Sequence, residues 1–460
     1  MEGNLGYHFD NGCCLHSERN RKKNSAMKLF AVTGDPILHS KSPDIFGAVF
    51  TKNGIDAAYF RLAADTAGEA VGVMKALELT GLNVTAPYKG DVIPFLDETD
   101  TDAQKIHAVN TIVNDNGRLK GYNTDYIGVI ESFRDKHVEL KNRSCVVIGA
   151  GGAGRAALYG IHKAGADCIV IDIDEKLAER VARESGCNAA KFDQLESCVI
   201  SSDIVVYAVD ASTINILKDE TIRPDQVIYD VNYKQSFLTE LATKKGCRMV
   251  TGADMLINQA VPAYRYFLGN DPDKKLMWEG FNANPLGKKA RTIALVGFIA
   301  TGKTSVGAAL ARKLGYEFIE LDALIVKTTG MTIADMFRIK SEPAFRAIEK
   351  DILNQEISRT NVVVSCGGGA VIYHENRRIL KEHALTVWLY NSIETSVKRG
   401  NDGTRPLLNV DNPVQTARNL FDNRKGYYAD AADLMVNTEN KQVEAIVDKV
   451  YAEISKAFGH

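Results

Sequence analysis

The sequence predicts an α/β architecture with more than one domain, and three observations carry the prediction. From Met27 to about Phe281, short β-branched runs such as LFAVTG, VVIGAG, CIVIDI, DIVVYAV and QVIYDV alternate with segments of helical period such as EKLAERVARES. That alternation is the pattern of parallel strands joined by crossover helices. GAGGAG at 149–154 and GFIATGKTS at 297–305 are glycine-rich loops, each set between a strand-like run and a helix-forming one. The 460 residues, 45% apolar and 25% charged, exceed the size at which a single hydrophobic core stops growing.

Composition narrows the partners. With 56 basic against 58 acidic residues, the formal net charge of −2 supplies no field for nucleic acid or an anionic membrane surface, so small molecules are the expected partners. Eight cysteines are scattered without a CxxC pair or a histidine at zinc-ligand spacing, which points to reduced thiols and a cytoplasmic setting. No apolar run approaches the length that crosses a bilayer. Oligomeric state is open at this level.

Taken in order, residues 1–26 have little periodicity and a basic run from Arg19 to Lys23, and read as a disordered tail. Met27 opens the first strand-like run and is an alternative start to Met1. Residues 27–128 form the first α/β domain, which a helix near 255–268 completes, and 129–254 form a second, dinucleotide-binding one. Residues 270–290 are polar, with two prolines, and read as a flexible tether. The strand–loop–helix pattern then restarts and runs through 291–460. No internal repeat is visible, so the two halves are different domains rather than copies.

In CVVIGAGGAGRAAL a strand precedes Gly149, Gly151 and Gly154, and a helix follows. This GxGxxG spacing suits a Rossmann loop: the first glycine makes the tight turn, the second lets backbone reach a pyrophosphate, and the third allows close helix packing. Ala150, Gly152 and Ala153 complete the cradle. Asp172 ends the next strand twenty-one residues after Gly151, where a carboxylate can accept the hydroxyls of an adenosine ribose. In TIALVGFIATGKTS the order is strand, GxxxxGKT, helix, as a phosphate loop requires. Gly297, Ala300, Thr301, Gly302 and Ser305 belong to the wrapping backbone, Lys303 reaches the terminal phosphates of ATP, and Thr304 offers a hydroxyl to Mg²⁺.

Upstream, HSKSP at 39–43, GLNVTAPYK at 81–89, AVNTI at 108–112 and GYNTD at 121–125 concentrate polar side chains where strand ends open into a cleft. Together with GAGGAG and GADMLINQA, these ordered motifs make residues 29–268 resemble shikimate dehydrogenase. The resemblance implies that Ser40 and Ser42 bind the substrate carboxylate. It makes Asn83, Thr85, Asn110, Tyr233 and Gln259 further substrate contacts, Gly252 a cofactor contact, and Lys89 with Asp125 the catalytic pair. A lysine beside a carboxylate can pass a proton to or from a reacting oxygen while nicotinamide moves hydride, which supports those roles on chemical grounds. The chain departs from the family at Tyr207-Ala208-Val209, usually Asn-Ala-Thr, and at Asp172-Ile173-Asp174, usually Asn-Arg-Thr. The second departure favours NAD over NADP.

Beyond the phosphate loop, FIELDALI, AFRAIEKDI, SCGGGAV, GTRPLL and RKGYYADAA follow in an order similar to shikimate kinase, over residues 291–458. That resemblance implies that Asp322, Arg346, Gly368 and Arg424 bind shikimate and that Arg405 lies in a lid over ATP. Two arginines can clamp a carboxylate and Asp322 can polarise a hydroxyl. Glu320 stands where the family has aspartate, so the acid that helps hold Mg²⁺ is one methylene longer. The expected protein is therefore bifunctional, making shikimate from 3-dehydroshikimate and then phosphorylating it. A quinate-type dehydrogenase half, or one half kept as a nucleotide sensor, are the alternatives.

Overall fold

The computed structural model describes residues 27–209, 216–232, 236–283, 285–289, 291–400 and 410–459. The expected tail at 1–26, Tyr233 and Arg405 lie outside the described residues. Among the described residues no helix is long and apolar enough to cross a membrane.

Two sheets organise the chain. The smaller has six strands in the order Arg248–Thr251, Val227–Asp230, Ile204–Tyr207, Ser144–Ile148, Asp167–Ile171, Asn188–Ala189. All are parallel. Separate apolar clusters cover its two faces, one around Phe133, Leu158 and Tyr229, the other around Ile148, Val205 and Leu241. This is the expected dinucleotide domain. The helix after it, Gly252–Leu268, returns to the first domain and packs on Asp125–Asp135.

The larger sheet departs from expectation. It has eleven strands, ordered Glu317–Glu320, Val362–Ser365, Thr292–Gly297, Leu385–Tyr390, Leu434–Asn437, Ala57–Ala63, Lys28–Thr33, Gly81–Val84, Thr111–Asp115, Arg118–Tyr122, Glu98–Thr99. The first five belong to the C-terminal half and the last six to the N-terminal half. They join where Leu434, Met435 and Val436 pair in parallel with Arg61, Leu62 and Ala63. The cores fuse as well: one face buries Leu29, Phe60 and Leu82 in the same cluster as Val296, Trp388 and Tyr428, and the other joins Phe46 and Tyr264 to Leu310 and Val447. Phe60 and Trp388 meet edge to face with ring centroids 5.6 Å apart.

The flexible tether expected at 270–290 is accordingly corrected. Helix Lys274–Asn282, capped by Asp273, lies on helix Ser42–Lys52. A Cβ on Gly280 would stand 2.3 Å from the Asp44 carbonyl oxygen, so only glycine permits this approach. Met277 is buried, with Leu276, Trp278 and Phe281 packed beside it. Lys289 Nζ, itself buried, reaches Asp433 at 3.0 Å. The polar composition of the segment masks an apolar helical face within KKLMWEGF, and that face decides its fate.

The topology opens crevices at three points. Thr292–Gly297, Lys28–Thr33 and Ser144–Ile148 each lie between two strands that come later in sequence, so the strand order runs outward in opposite directions from each of them. Ligand crevices form at the carboxyl ends of strands at such switch points. Because the strands from Glu317–Glu320 across to Gly81–Val84 are all parallel, two of these crevices open on one edge of one sheet.

Candidate active sites

In the N-terminal half, the loops after Lys28–Thr33 and Gly81–Val84 meet the start of helix Asp125–Asp135. Lys89 Nζ donates to Asp125 Oδ2 at 2.7 Å, the lysine partly exposed and the carboxylate buried. Asn110 Nδ2 donates to Asp125 Oδ1 at 2.8 Å and to Thr124 Oγ1 at 2.9 Å. Asn83 Nδ2 donates to the Asn110 carbonyl at 3.1 Å and to Thr111 Oγ1 at 3.0 Å. Gln259, from helix Gly252–Leu268, accepts from Thr124 Oγ1 at 3.1 Å. Thr85 directly follows strand Gly81–Val84, its N–H donating to the Thr33 carbonyl. Ser40 and Ser42 stand with their Oγ atoms 3.4 Å apart. Lys89, Asp125, Asn110, Asn83 and Gln259 are thus joined in one hydrogen-bond network, with Thr85 just after strand Gly81–Val84 and Ser40 and Ser42 at the entry to helix Ser42–Lys52.

Thr111, Asn123 and Thr124, which lie within the AVNTI and GYNTD runs, join this hydrogen-bond network, whereas Tyr59 lies outside every motif the sequence singles out. Tyr59 donates to Asn83 Oδ1 at 2.6 Å, and burial pushes its hydroxyl pKa far up, which keeps it a donor. It sits mid-strand in AAYFRLA, where nothing in the local sequence separates it from core. Asn123 Oδ1 accepts the backbone N–H of Asp125 at 3.0 Å, and the NTD run was its signal.

In the dinucleotide domain Gly149 has φ +103° and Gly154 packs so tightly that a Cβ would lie 1.9 Å from the Gly149 carbonyl oxygen. Gly151 and Gly152 face open space, so the loop has room for a pyrophosphate at the start of helix Gly152–Lys163, where Ala153 lies in the first turn. Asp172 Oδ2 accepts the Ala150 N–H at 2.7 Å, and its Oδ1 accepts the Asp174 N–H at 3.0 Å. The cap of the next helix is Asp174, which accepts from the Leu177 N–H at 3.1 Å. Gly252 begins helix Gly252–Leu268, where a Cβ would lie 2.2 Å from the Val231 carbonyl oxygen. Tyr207 is buried in the apolar cluster with Leu195 and Leu217.

In the C-terminal half Gly297 and Gly302 have φ +151° and +91°, and Ala300 is left-handed at +55°. Thr301 Oγ1 donates to the Phe298 carbonyl at 3.1 Å, pinning the loop. Helix Lys303–Leu314 starts here, with Thr304 and Ser305 in its first turn. Lys303 Nζ donates to the carbonyls of Gly297 and Phe298 at 2.9 and 2.8 Å. Asp322 lies against Gly367, whose Cβ would be 2.6 Å from Asp322 Oδ1, and a Cβ on Gly369 would be 2.9 Å from Arg346 Nη2. The glycine run in SCGGGAV therefore lets a carboxylate and a guanidinium approach one backbone segment. Tyr428 donates to the Gly368 carbonyl at 2.6 Å, and Arg424 precedes helix Lys425–Ala431. Glu320 Oε2 accepts the Ala323 N–H at 3.1 Å.

Arg346 is held by Glu349, Nη1 to Oε2 at 2.8 Å, while its Nε is buried without a partner. Glu349 was missed, although its place three residues after Arg346 in AFRAIEK is a legible helical pair. Burial pushes the Asp322 carboxyl above the usual aspartate range, against the lowering pull of Lys303 and Arg346.

Comparison with known proteins fits this geometry. Family models describing the shikimate dehydrogenase substrate binding domain and shikimate / quinate 5-dehydrogenase match residues 32–112 and 131–238. The chain is 34% identical over 256 residues to the shikimate dehydrogenase (NADP(+)) of Pyrococcus abyssi, covering 96% of that protein and 55% of this one. The chain belongs to the shikimate dehydrogenase family. A shikimate kinase family model matches residues 299–455, so a shikimate kinase domain follows in the same polypeptide. The crystal structure of the Aquifex aeolicus shikimate dehydrogenase superposes with a TM-score of 0.54 at 30% identity, covering 56% of this chain and 99% of that one. That of Thermus thermophilus, in complex with NADP(H) and shikimate, gives 0.51 at 30% identity over 55% of this chain and 98% of that one. The share left unmatched by these dehydrogenases includes the shikimate kinase domain.

Proposed function

We propose that the chain reduces 3-dehydroshikimate to shikimate and then transfers the terminal phosphoryl group of ATP to it, giving shikimate 3-phosphate. The observation that carries the reading is the buried Asp125 carboxylate paired with Lys89, in a chain that also sets Asp322 beside its phosphate loop. Ser40 and Ser42 bind the substrate carboxylate, while Asn83, Thr85, Asn110 and Gln259 take its ring hydroxyls. When bound, the nicotinamide supplies the hydride. Lys89 gives the proton to the reacting oxygen on reduction and takes it back on oxidation, and Asp125 orients Lys89. In the kinase domain Arg346 and Arg424 clamp the carboxylate, Asp322 holds the attacking hydroxyl, and Lys303 offsets phosphate charge. Thr304 and Glu320 would hold Mg²⁺, which neutralises phosphate charge when bound. Purified chain given 3-dehydroshikimate, reduced cofactor and ATP with Mg²⁺ should yield shikimate 3-phosphate by mass. Accumulated shikimate or unconsumed substrate would reject one half of the reading.

The cofactor of the dehydrogenase half is proposed to be NAD(H) rather than NADP(H), unlike the NADP(+) named for the Pyrococcus abyssi relative. Asp172 bonds to the glycine loop itself, and the capping role falls to Asp174. Beside it Ile173, 82% exposed, offers no cation to a 2′-phosphate. At about 5 Å and an effective dielectric near 20, each unit of like charge costs about 3 kcal/mol. Half of that gives roughly tenfold discrimination. Comparing kcat/KM for shikimate oxidation with NAD⁺ and NADP⁺ tests this, and equal values would end it. Asp172→Ser with Ile173→Arg should shift preference toward NADP⁺.

The raised Asp322 carboxyl also has a pH consequence. Its role requires the carboxylate, so activity is present above its pKa and lost as pH falls through it. The acid limb of kcat/KM for phosphorylation should thus lie above the ordinary aspartate value of about 3.9. A limb at or below that value would contradict the assignment.

A further inference from the structure

Glu453 lies on the last helix of the kinase domain, Val443–Phe458, yet its contacts are in the dehydrogenase half. Its Oε2 accepts the backbone N–H groups of both Ile37 and Leu38 at 2.8 Å, across more than 400 residues of chain. Glu453, Ile37 and Leu38 are all buried, Glu453 at 1% exposure. The turn it grips continues directly into the serine loop, because the Ile37 carbonyl accepts the Ser40 N–H at 2.9 Å. On the other side, Arg61 donates through Nε and Nη2 to the Ser40 carbonyl at 2.9 and 2.6 Å and reaches Asp44 at 3.2 Å. Arg61 stands on the strand that pairs with the kinase sheet.

We propose that Glu453 of the kinase domain is a positioning residue for the dehydrogenase: it fixes the turn at Ile37 and Leu38 and thereby the placement of Ser40 and Ser42. The inference rests on the proposed carboxylate-binding role of those serines. A single carboxylate oxygen shared by two consecutive N–H groups is a short anchor, shielded from water by the junction around it. Lys449, one turn earlier on the same helix, adds a second tie to this loop by donating to Asp35 Oδ1 at 3.1 Å. The loop is therefore clamped between Arg61 from its own half and Glu453 from the other.

Full-length Glu453→Ala and Glu453→Gln test the proposal against the parent chain by two readouts. Amide hydrogen exchange over residues 35–43 reads the grip without any substrate, and should accelerate in the alanine variant and stay near parent in the glutamine variant, whose carbonyl oxygen still accepts. The KM for shikimate in oxidation should rise roughly tenfold in Glu453→Ala, since small misplacements of binding groups cost factors of this order or more. The KM for dinucleotide and the kinase kcat should not move, and Glu453→Gln should restore most of the shikimate KM. Unchanged exchange over 35–43 in the alanine variant overturns the grip. Changed exchange with an unchanged shikimate KM overturns the positioning role, and so does a parallel fall of both activities with a lowered Tm. Failure of the parent chain to oxidise shikimate would instead reject the proposed function, with the exchange result still deciding the grip.

Discussion

Lys89→Ala is expected to lower dehydrogenase turnover by about 10²–10⁴, the range a positioned proton donor contributes, with kinase turnover unchanged. Lys89 Nζ is 2.7 Å from Asp125 Oδ2, and the other oxygen of that carboxylate is engaged by Asn110, so the pair has one orientation available. Removing the lysine leaves a buried carboxylate without its cation as well as a reacting oxygen without its donor. Lys89→Arg keeps the charge but cannot release a proton at neutral pH, so it should rescue folding and not turnover. Steady-state rates for both reactions on the same preparation check this. A Lys89→Ala chain that retains oxidation within a few-fold of the parent would remove Lys89 from the chemistry.

Lys303→Ala should give the mirror result, with phosphoryl transfer falling by about 10²–10³ and shikimate oxidation preserved. Lys303 sits directly after Gly302, whose positive φ turns the chain into helix Lys303–Leu314, and its ammonium lies over the loop where it bonds two of the loop's carbonyls. Nucleotide phosphates would compete for that ammonium, and charge developing in transfer would meet it at close range. Because the loop conformation rests on glycines and on Thr301, the alanine variant should fold. ATP turnover with shikimate as acceptor is the readout, and a loss confined to KM for ATP would limit Lys303 to ground-state binding.

The parts of this molecule that sequence made legible are those where backbone or chemistry restricts the residue locally. Gly149 at φ +103° and Gly302 at +91° are needed where they stand, and a carboxylate at Asp172 or a lysine at Lys89 marks a strand end opening into a crevice. What escaped was non-local. Leu434–Asn437 pairs with Ala57–Ala63 through main-chain groups that every residue carries, so no side chain announces the partner. Arg61 is a partial exception: a charge inside AAYFRLA, only 2% exposed, is a signal that some buried acceptor awaits it. Helix Lys274–Asn282 was hidden by the polar residues around it, and Tyr59 by its resemblance to ordinary strand filling.

The parallel pairing of Leu434–Asn437 with Ala57–Ala63 also bears on solubility. A sheet that ends in an unpaired strand offers a row of free N–H and C=O groups to any other chain, a recognised route to aggregation. Divided near residue 290, the N-terminal half would bare the Ala57–Ala63 edge and the C-terminal half the Leu434–Asn437 edge, both set among apolar residues such as Phe60, Leu62, Leu434 and Val436 that are wholly buried in the intact chain. In the fused chain each half therefore covers the strand edge that the other would otherwise leave open.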